Sequence, residues 1–500
     1  MSPLDFSESL KLIKPEIAIS ATLVFIVLVD LIFKNRKSFL PIISLIGLFL
    51  SGYFAVEQLA LNAFAFGQIK NNALIVIDPF AAFFKLIFIL TTAIIVLFSI
   101  SSSEIKELKN RHGEYYTLIF GMLLGMSFLS SASDLIMIYI SIELLSLSSY
   151  VLAGFVKDSI RNSEASLKYV IYGSVSSGIM LFGISIVYGL TGSTNLFEIN
   201  SVLSRISVID ITFVLSMIMI VAGFGFKISI VPFHFWTPDV YEGAPITITA
   251  YLSVASKAAG FAVLIRFIIS TFFVSTTSDG YWNLLTLIDW QSLLVVLSII
   301  TMTLGNFAAL WQDNLKRMLA YSSIAHAGYI LLGIAVLSNQ GLIAVLIYFA
   351  IYLFMNLGAF YVVMLIANKL GSENIDDYKG LGASIPLLGV SLAVFLVSLT
   401  GLPPTAGFIA KLYLFIALLD ANMVTVAFIA LLNTVVSLYY YVRVLKNLYL
   451  VKTETPKPVI NLSGLELVVL LVLIIPTFVF GIYFSPLVNL AKESVQILGF

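Results

Sequence analysis

Fourteen predominantly apolar stretches, each long enough to cross a bilayer as a helix, run through this chain of 500 residues. A helix needs about 20 apolar residues to span a hydrocarbon core of about 30 Å. The stretches fall at 15–33, 38–58, 79–102, 114–132, 133–155, 163–190, 207–236, 243–271, 291–310, 318–338, 341–368, 385–419, 421–445 and 465–484. Only 11% of residues are charged, against about 25% in soluble domains, so a soluble fold is excluded. What the pattern predicts is an all-α integral membrane protein with about fourteen transmembrane helices. The polar amphiphilic start, MSPLDFSESLKLIK, lacks the short apolar core and small-residue cleavage site of a signal peptide, so the first stretch reads as a retained span. Lysines plus arginines equal aspartates plus glutamates at 27 each, which leaves no basic field for nucleic acid. With no cysteine, iron–sulfur clusters, thiolate zinc sites and disulfides are excluded as well.

Orientation follows from the loops. With the N terminus outside, the cytoplasmic segments hold Lys34, Arg36, Lys37, Lys106, Lys109, Arg111, Lys157, Arg161, Lys316, Arg317, Lys369, Lys379, Lys446, Lys452 and Lys457. The outer segments hold Lys11, Lys14, Lys70, Arg205 and Lys492. Basic residues concentrate on the cytoplasmic side, and an even number of spans then places both termini outside.

Two stretches are too long for one crossing, and each carries its own breakers. GLPPTAG, with Pro403 and Pro404, interrupts 385–419, and GFGFKISIVPFHFW, with Pro232, interrupts 207–236. Proline removes a helix donor and clashes with the preceding turn, so both helices are expected to break, each beside a lysine, Lys227 and Lys411. Lys227 lies 113 residues after position 114 and Lys411 lies 120 residues after position 291. Two units of five spans, helices 4–8 and 9–13, therefore match. Because five is odd, they cross in opposite senses, as inverted repeats with a midplane site do. The expected organisation is helices 1–3 over 1–113, a first repeat over 114–271, a second over 291–445 and helix 14 over 465–484.

Charges inside the spans need a reason, because each costs at least about 2.5 kcal/mol at the bilayer centre. Glu143 reads as the one acid deep in a span. Lys257 and His326 are central too, Lys168 lies about a turn and a half into its span, and His234 follows the first break. One ion pair would satisfy Glu143 and a single lysine, leaving the other lysines unexplained. An ammonium group without a counterion in a low-dielectric medium gives up its proton readily, so lysines so placed can pass protons on. Two alternatives stay open: helix-packing hydrogen bonds for the histidines, and snorkelling to the surface for Lys168. Lys85, Arg266 and Arg443, near span ends, read as snorkelling or subunit contacts. The 39 Phe and 23 Tyr read as packing.

The run FKISIVPFHFWTPDVYEGAPITITAYLSVASKAAGFAVLIR at 226–266 strongly resembles the N-subunit family of bacterial proton-pumping NADH:quinone oxidoreductase, respiratory complex I. So do EASLKYVIYGSVSSGIMLFG at 164–183, NLKRMLAYSSIAHAGY at 314–329 and GLPPTAGFIAKLYLF at 401–415. The resemblance covers essentially the whole chain and implies an antiporter-like membrane-arm subunit with fourteen helices. It matches Glu143 to the family's fifth-helix carboxylate, with Lys227 on the broken seventh helix as its ion-pair partner. Lys257 matches the central lysine of the eighth helix and Lys411 the exit-side lysine of the broken twelfth, while Lys168, His234 and His326 fall at polar-axis positions. It further implies proton translocation without a cofactor in this chain, flavin mononucleotide and iron–sulfur clusters belonging to partner subunits. The neighbours it implies are the small subunit K, the antiporter-like subunit M and the lateral helix of subunit L, in a bacterial inner membrane. Two rival readings are a subunit of a multi-subunit sodium/proton antiporter and a purely structural membrane-arm subunit.

Overall fold

A computed structural model describes residues 3–33, 39–67, 72–108, 111–156, 159–205, 211–451 and 460–497. Of the loop cations that set the expected orientation, Lys34, Arg36, Lys37, Lys70, Lys109, Lys157, Lys452 and Lys457 lie outside the described residues.

Among the described residues, twelve helices are long and apolar enough to cross a membrane. In chain order with their neighbours, the helices used below are α1 (Lys14–Ile32), α2 (Phe39–Gln58), α3 (Pro79–Ser101), α4 (His112–Ser131), α5 (Leu135–Ala153), α6 (Ile160–Thr191), α7 (Ile211–Ile228) and α8 (Trp236–Gly243). Then come α9 (Ile246–Phe272), α10 (Trp290–Leu310), α11 (Leu315–Ala335), α12 (Asn339–Leu370), α13 (Pro386–Thr400), α14 (Ala406–Asp420), α15 (Val424–Tyr449) and α16 (Gly464–Ile482). The count differs from fourteen for two reasons. The stretch at 114–132 does form a helix, α4, but Glu114, Tyr115, Tyr116 and several glycines and serines make it less apolar. The stretch at 385–419 forms two 15-residue helices, α13 and α14, neither of which spans alone.

Both expected breaks are present. α7 ends at Ile228, Ser229 takes a left-handed φ of 62°, and turns that include Pro232 lead to α8. α13 ends at Thr400, Gly401 closes it at φ 90°, and Pro403 and Pro404 precede α14. Pairings recur along the chain: α4 packs on α5 as α10 packs on α11, and α6 on α7 as α12 on α13. The fold is not wholly helical. Two antiparallel ribbons form, Ala63–Ala65 with Ile75–Ile77 and Phe273–Thr276 with Trp282–Leu284.

Lipid is as apolar as leucine, so burial within the bundle must come from packing and polar contacts between helices. Burial is steeply graded. The whole spanning window of α9 is enclosed by protein, as are 94% of that of α11 and 89% of that of α12, whereas the figure for α16 is 22%. Rim helices present bulky apolar side chains outward, such as Phe49, Leu31 and Ile482. The three enclosed helices carry Lys257, His326 and a set of buried tyrosines, and the middle of the polar site is built there.

Two ion pairs correct the sequence reading. Lys85 is fully buried on α3, 2.7 Å from Glu16 of α1, and donates to Gln58 Oε1 at 2.9 Å. Arg266 of α9 is also fully buried. Its guanidinium grips Asp78 at 2.8 and 2.9 Å, and its Nε donates to the Ser130 carbonyl. Neither side chain snorkels. Glu143 remains the acid deep in a span, while Glu16 and Asp78, at the starts of their helices, are buried and reach these cations from distant sequence positions. Arg443 does sit at a helix end, where it donates to the Leu310 and Gln312 carbonyls and pairs with exposed Asp313.

Candidate functional site

Lys227 occupies the last turn of α7, just before the break, and is buried. Its ammonium donates to Ser146 Oγ of α5 at 3.1 Å and lies 6.0 Å above the Tyr169 ring. Glu143, one turn earlier on α5 and half-buried, accepts from Ser177 Oγ of α6. Among the described residues no direct ion pair joins Glu143 to Lys227; Ser146, three residues on from Glu143, takes the lysine's hydrogen bond. The lysine's hydrogen-bond partner is thus a serine, with the Glu143 carboxylate one turn away on the same helix.

Lys257 follows a π-helical turn, Leu252–Ser256, of the kind that accompanies functional sites. It is buried and donates to Ser323 Oγ of α11 at 2.8 Å, with the Tyr241 ring 5.8 Å away. Lys227 and Lys257 come from neighbouring stems. A Cβ on Gly260, one turn after Lys257, would stand 3.4 Å from Lys227 Cβ and 2.5 Å from Ile228, so only glycine admits this approach. His234 lies within the break, buried, with its ring 4.5 Å from that of Phe235 and no partner for Nδ1.

Beyond Lys257 the polar groups form a row. His326, three residues after Ser323, holds the Tyr348 hydroxyl on Nδ1 at 2.7 Å and the Tyr441 hydroxyl on Nε2 at 3.5 Å. Tyr441 also bonds Ser322 and lies against Tyr440, ring to ring at 4.4 Å. Tyr440 donates to Asn306 Oδ1, Asn306 reaches the Tyr329 hydroxyl, and Thr434 joins Tyr329 at 3.2 Å. Lys411 closes the row. Its ammonium donates to Thr434 Oγ1 at 3.4 Å and to the Thr400 carbonyl at 2.7 Å, and it sits 4.7 Å over the Tyr329 ring. Thr400 is the last residue of α13, so the lysine satisfies a carbonyl orphaned by the break, at the negative end of the helix dipole. Among the described residues no group of His, Cys, Asp and Glu side chains could hold a metal ion.

A family model described as NADH:quinone oxidoreductase/Mrp antiporter, transmembrane, matches residues 132–437. Over 492 residues the chain is 51% identical to NADH-quinone oxidoreductase subunit N 2 of Chloroherpeton thalassium, covering 97% of this chain and 94% of that protein.

The chain belongs to the family of NADH-quinone oxidoreductase N subunits.

Among solved structures, a chain of respiratory complex I from Thermus thermophilus with bound aureothin has a TM-score of 0.77 at 27% identity, covering 96% of this chain and 99% of that one. A chain of the Mrp complex from Dietzia has a TM-score of 0.84 at 19% identity over 99% and 97%, a likeness of fold.

Within this N-subunit fold, six of the seven expected polar positions stand in or beside the interior row, and Lys168 does not. It is half-exposed near the start of α6, paired with Glu164 at 2.8 Å and Asp239 at 2.6 Å. Arg317 joins the same network through Asp239 and Glu242. The tyrosines are the larger omission. Tyr329, Tyr440 and Tyr441 link His326 to Lys411, and Tyr348 holds the other nitrogen of the His326 ring, roles that plain counts of aromatic residues conceal. The available signal was spacing, with Tyr329 one turn after His326 and Tyr440 and Tyr441 adjacent on a span that also carries Asn433 and Thr434.

Gly401 offers a direct check on the Lys411 end. Its φ of 90° is left-handed, and a Cβ there would stand 2.7 Å from Lys411 Cδ. A left-handed alanine costs about 1–2 kcal/mol, and the clash pushes the lysine stem off Thr400. Gly401→Ala is expected to lower proton translocation several-fold in a fully assembled complex, measured by fluorescence quenching in vesicles against subunit content on native gels.

Proposed function

We propose that this chain is a proton-translocating, antiporter-like subunit in the membrane arm of an NADH:quinone oxidoreductase, and that protons travel along Glu143, Lys227, Lys257, His326 and Lys411. The observation that carries this reading is the run of hydrogen-bonding groups from His326 to Lys411 through tyrosine, asparagine and threonine, nearly all of them buried side chains within the bundle. A polar row of that cost in a membrane protein has a transport role by default. NADH oxidation and quinone reduction, with flavin and iron–sulfur clusters, belong to partner subunits. The helix pairings and the two breaks support two inverted five-helix units, over 114–271 and 291–445. In this reading the neighbours are subunits K and M with the lateral helix of subunit L, both termini lie on the outer side of the inner membrane, and the exit lies beyond Lys411.

Glu143 acts on Lys227 through space and through Ser146. Movement of α5 toward α7 exchanges the serine hydrogen bond for an ion pair, and that exchange loads or releases the proton on Lys227. His234, in the break and near Lys257, is placed to accept it or to hold a bridging water on Nδ1. Lys168 belongs to the surface ion-pair network and supports the neighbourhood of α8 without carrying protons through the row.

The test is quinone-coupled proton pumping by reconstituted complexes carrying Lys227→Ala or Glu143→Ala. Positioned proton-transfer groups contribute about 10²–10⁴-fold to rate, so pumping is expected to fall by about tenfold or more in each, with normal subunit content. Full pumping in both variants overturns the reading. Co-purification with peripheral NADH-oxidising subunits separates it from a stand-alone sodium/proton antiporter.

A further inference from the structure

A second set of buried hydroxyls lies along the first turns of α9, ahead of Lys257. It begins at the end of the bundle that carries the basic loops. A cavity of about 470 Å³ opens there, lined among others by Glu104, Glu242, Glu373, Arg161, Asn314 and Asn368. Acid outnumbers base on its wall. Lys316, buried beside it, is occupied by Glu373 at 2.9 Å and by the Ala244 carbonyl at 3.0 Å.

Glu104 sits on the one-turn helix Ser103–Lys106, half-buried at the cavity edge. Its Oε2 accepts the Ile246 N–H at 3.0 Å, one of the donors left unpaired at the start of α9. Burial holds its carboxyl above the usual carboxylate range; Lys316 and the Ile246 N–H oppose this, and Glu373 and Glu107 add to it. A carboxyl so placed exchanges its proton at a pH nearer neutrality than a surface glutamate does.

Thr247, next in sequence to the Ile246 that Glu104 accepts from, is bonded by Tyr115 of α4. The Tyr115 hydroxyl donates to Thr247 Oγ1 at 3.1 Å and shares a 2.8 Å bond with Ser99 Oγ of α3. One turn further along α9, the Tyr251 hydroxyl and Thr92 Oγ1 are 2.7 Å apart. The π turn follows, with the Ser256 hydroxyl buried and unpartnered, and then Lys257. Packing alone does not require so many hydroxyls on one side of a helix in a membrane, where each must be satisfied.

We propose that Glu104 is the port through which protons from this vestibule enter the membrane, relayed to Lys257 by the Tyr115–Thr247 and Tyr251–Thr92 hydroxyl pairs. The inference rests on the proton-carrying reading of the whole row, Lys227 and Lys257 together. A proton from vestibule water binds a Glu104 carboxylate oxygen. The carboxyl then gives it up to the first hydroxyl while that hydroxyl passes its own proton onward. Water from the vestibule spans the gaps between pairs, every hydroxyl ends as it began, the Lys257 amine gains one proton and Glu104 returns to carboxylate.

The experiment uses the assembled complex in proteoliposomes, with Glu104→Gln, Tyr115→Phe and Thr247→Val each compared with Lys227→Ala. Glu104→Gln is expected to pump roughly tenfold more slowly at pH 8, to recover part of the loss at pH 6 as hydronium enters unaided, and to recover further with added formate, a small diffusible acid. Tyr115→Phe and Thr247→Val are expected to slow pumping several-fold without the formate rescue. Wild-type pumping and pH profile in Glu104→Gln and Tyr115→Phe, beside a dead Lys227→Ala, overturn the port and leave the row intact. An unimpaired Lys227→Ala overturns the reading beneath it. A Glu104→Gln defect that neither pH nor formate moves is structural and also overturns the port. If Glu104→Gln does not assemble, Tyr115→Phe and Thr247→Val decide: slowed pumping supports the relay and wild-type rates sink it.

Discussion

Lys411→Arg is expected to assemble a complete complex whose quinone-coupled proton pumping falls by roughly 100-fold. Arginine keeps the positive charge and the donor for the Thr400 carbonyl, so the break between α13 and α14 stays capped. What it loses is the ability to release a proton, since a guanidinium does not deprotonate in proteins. The substitution thereby separates two roles that coincide in the wild-type side chain. Lys411→Met removes both, leaves a carbonyl unpaired and is expected to cost an additional 1–3 kcal/mol of stability, roughly. Comparing the two variants by pumping assays and by thermal melting distinguishes a proton carrier from a helix cap. Wild-type pumping in Lys411→Arg would reduce the lysine to a cap.

Breaking the Asp78–Arg266 pair carries the largest expected stability cost. Both groups are fully buried and bonded bidentately, and Asp78 additionally caps α3 through the Ala81 N–H at 2.8 Å. Removing one member leaves a buried charge uncompensated, worth about 3–5 kcal/mol, and losing the cap adds about 1 kcal/mol. Asp78→Leu is therefore expected to deplete the subunit from the membrane and lower the melting temperature of what remains. Arg266→Met is expected to be comparably severe. The double variant Asp78→Leu with Arg266→Met restores apolar filling and is expected to recover part of the loss, because matched hydrophobic replacement of a buried pair is often neutral. Additive losses in this cycle would mean that the two residues act independently.

The spans, both breaks and the buried lysines could be read from sequence for one reason: a bilayer tolerates so few polar groups that each exception is visible. Lys227, Lys257 and Lys411 stand out in apolar text, and so do PFHFW and GLPPTAG. What could not be read was pairing. Asp78 meets Arg266 across 188 positions and Lys85 meets Glu16 from another helix; in each case the acid lies near a span end, where it passes for loop. Lys168 misled in the opposite direction, since its depth in the sequence does not reveal that α6 extends to Ile160 and carries the lysine to a half-exposed edge beside Asp239. Tyrosine was silent because its ring suits lipid as well as a hydrogen-bonded row, and only the placement of its hydroxyl tells the two apart.

The graded enclosure of the helices bears on how the membrane itself acts on this protein. A bilayer thicker or thinner than the apolar length of a helix imposes a mismatch that is relieved by tilt or by local stretching of the lipid. That load falls where helices touch acyl chains, on α2 and α16, and α9 has no such surface. Changes in lipid length therefore lean on the rim, while Lys257 and the groups around it keep their spacing on a helix enclosed by protein along its whole spanning window.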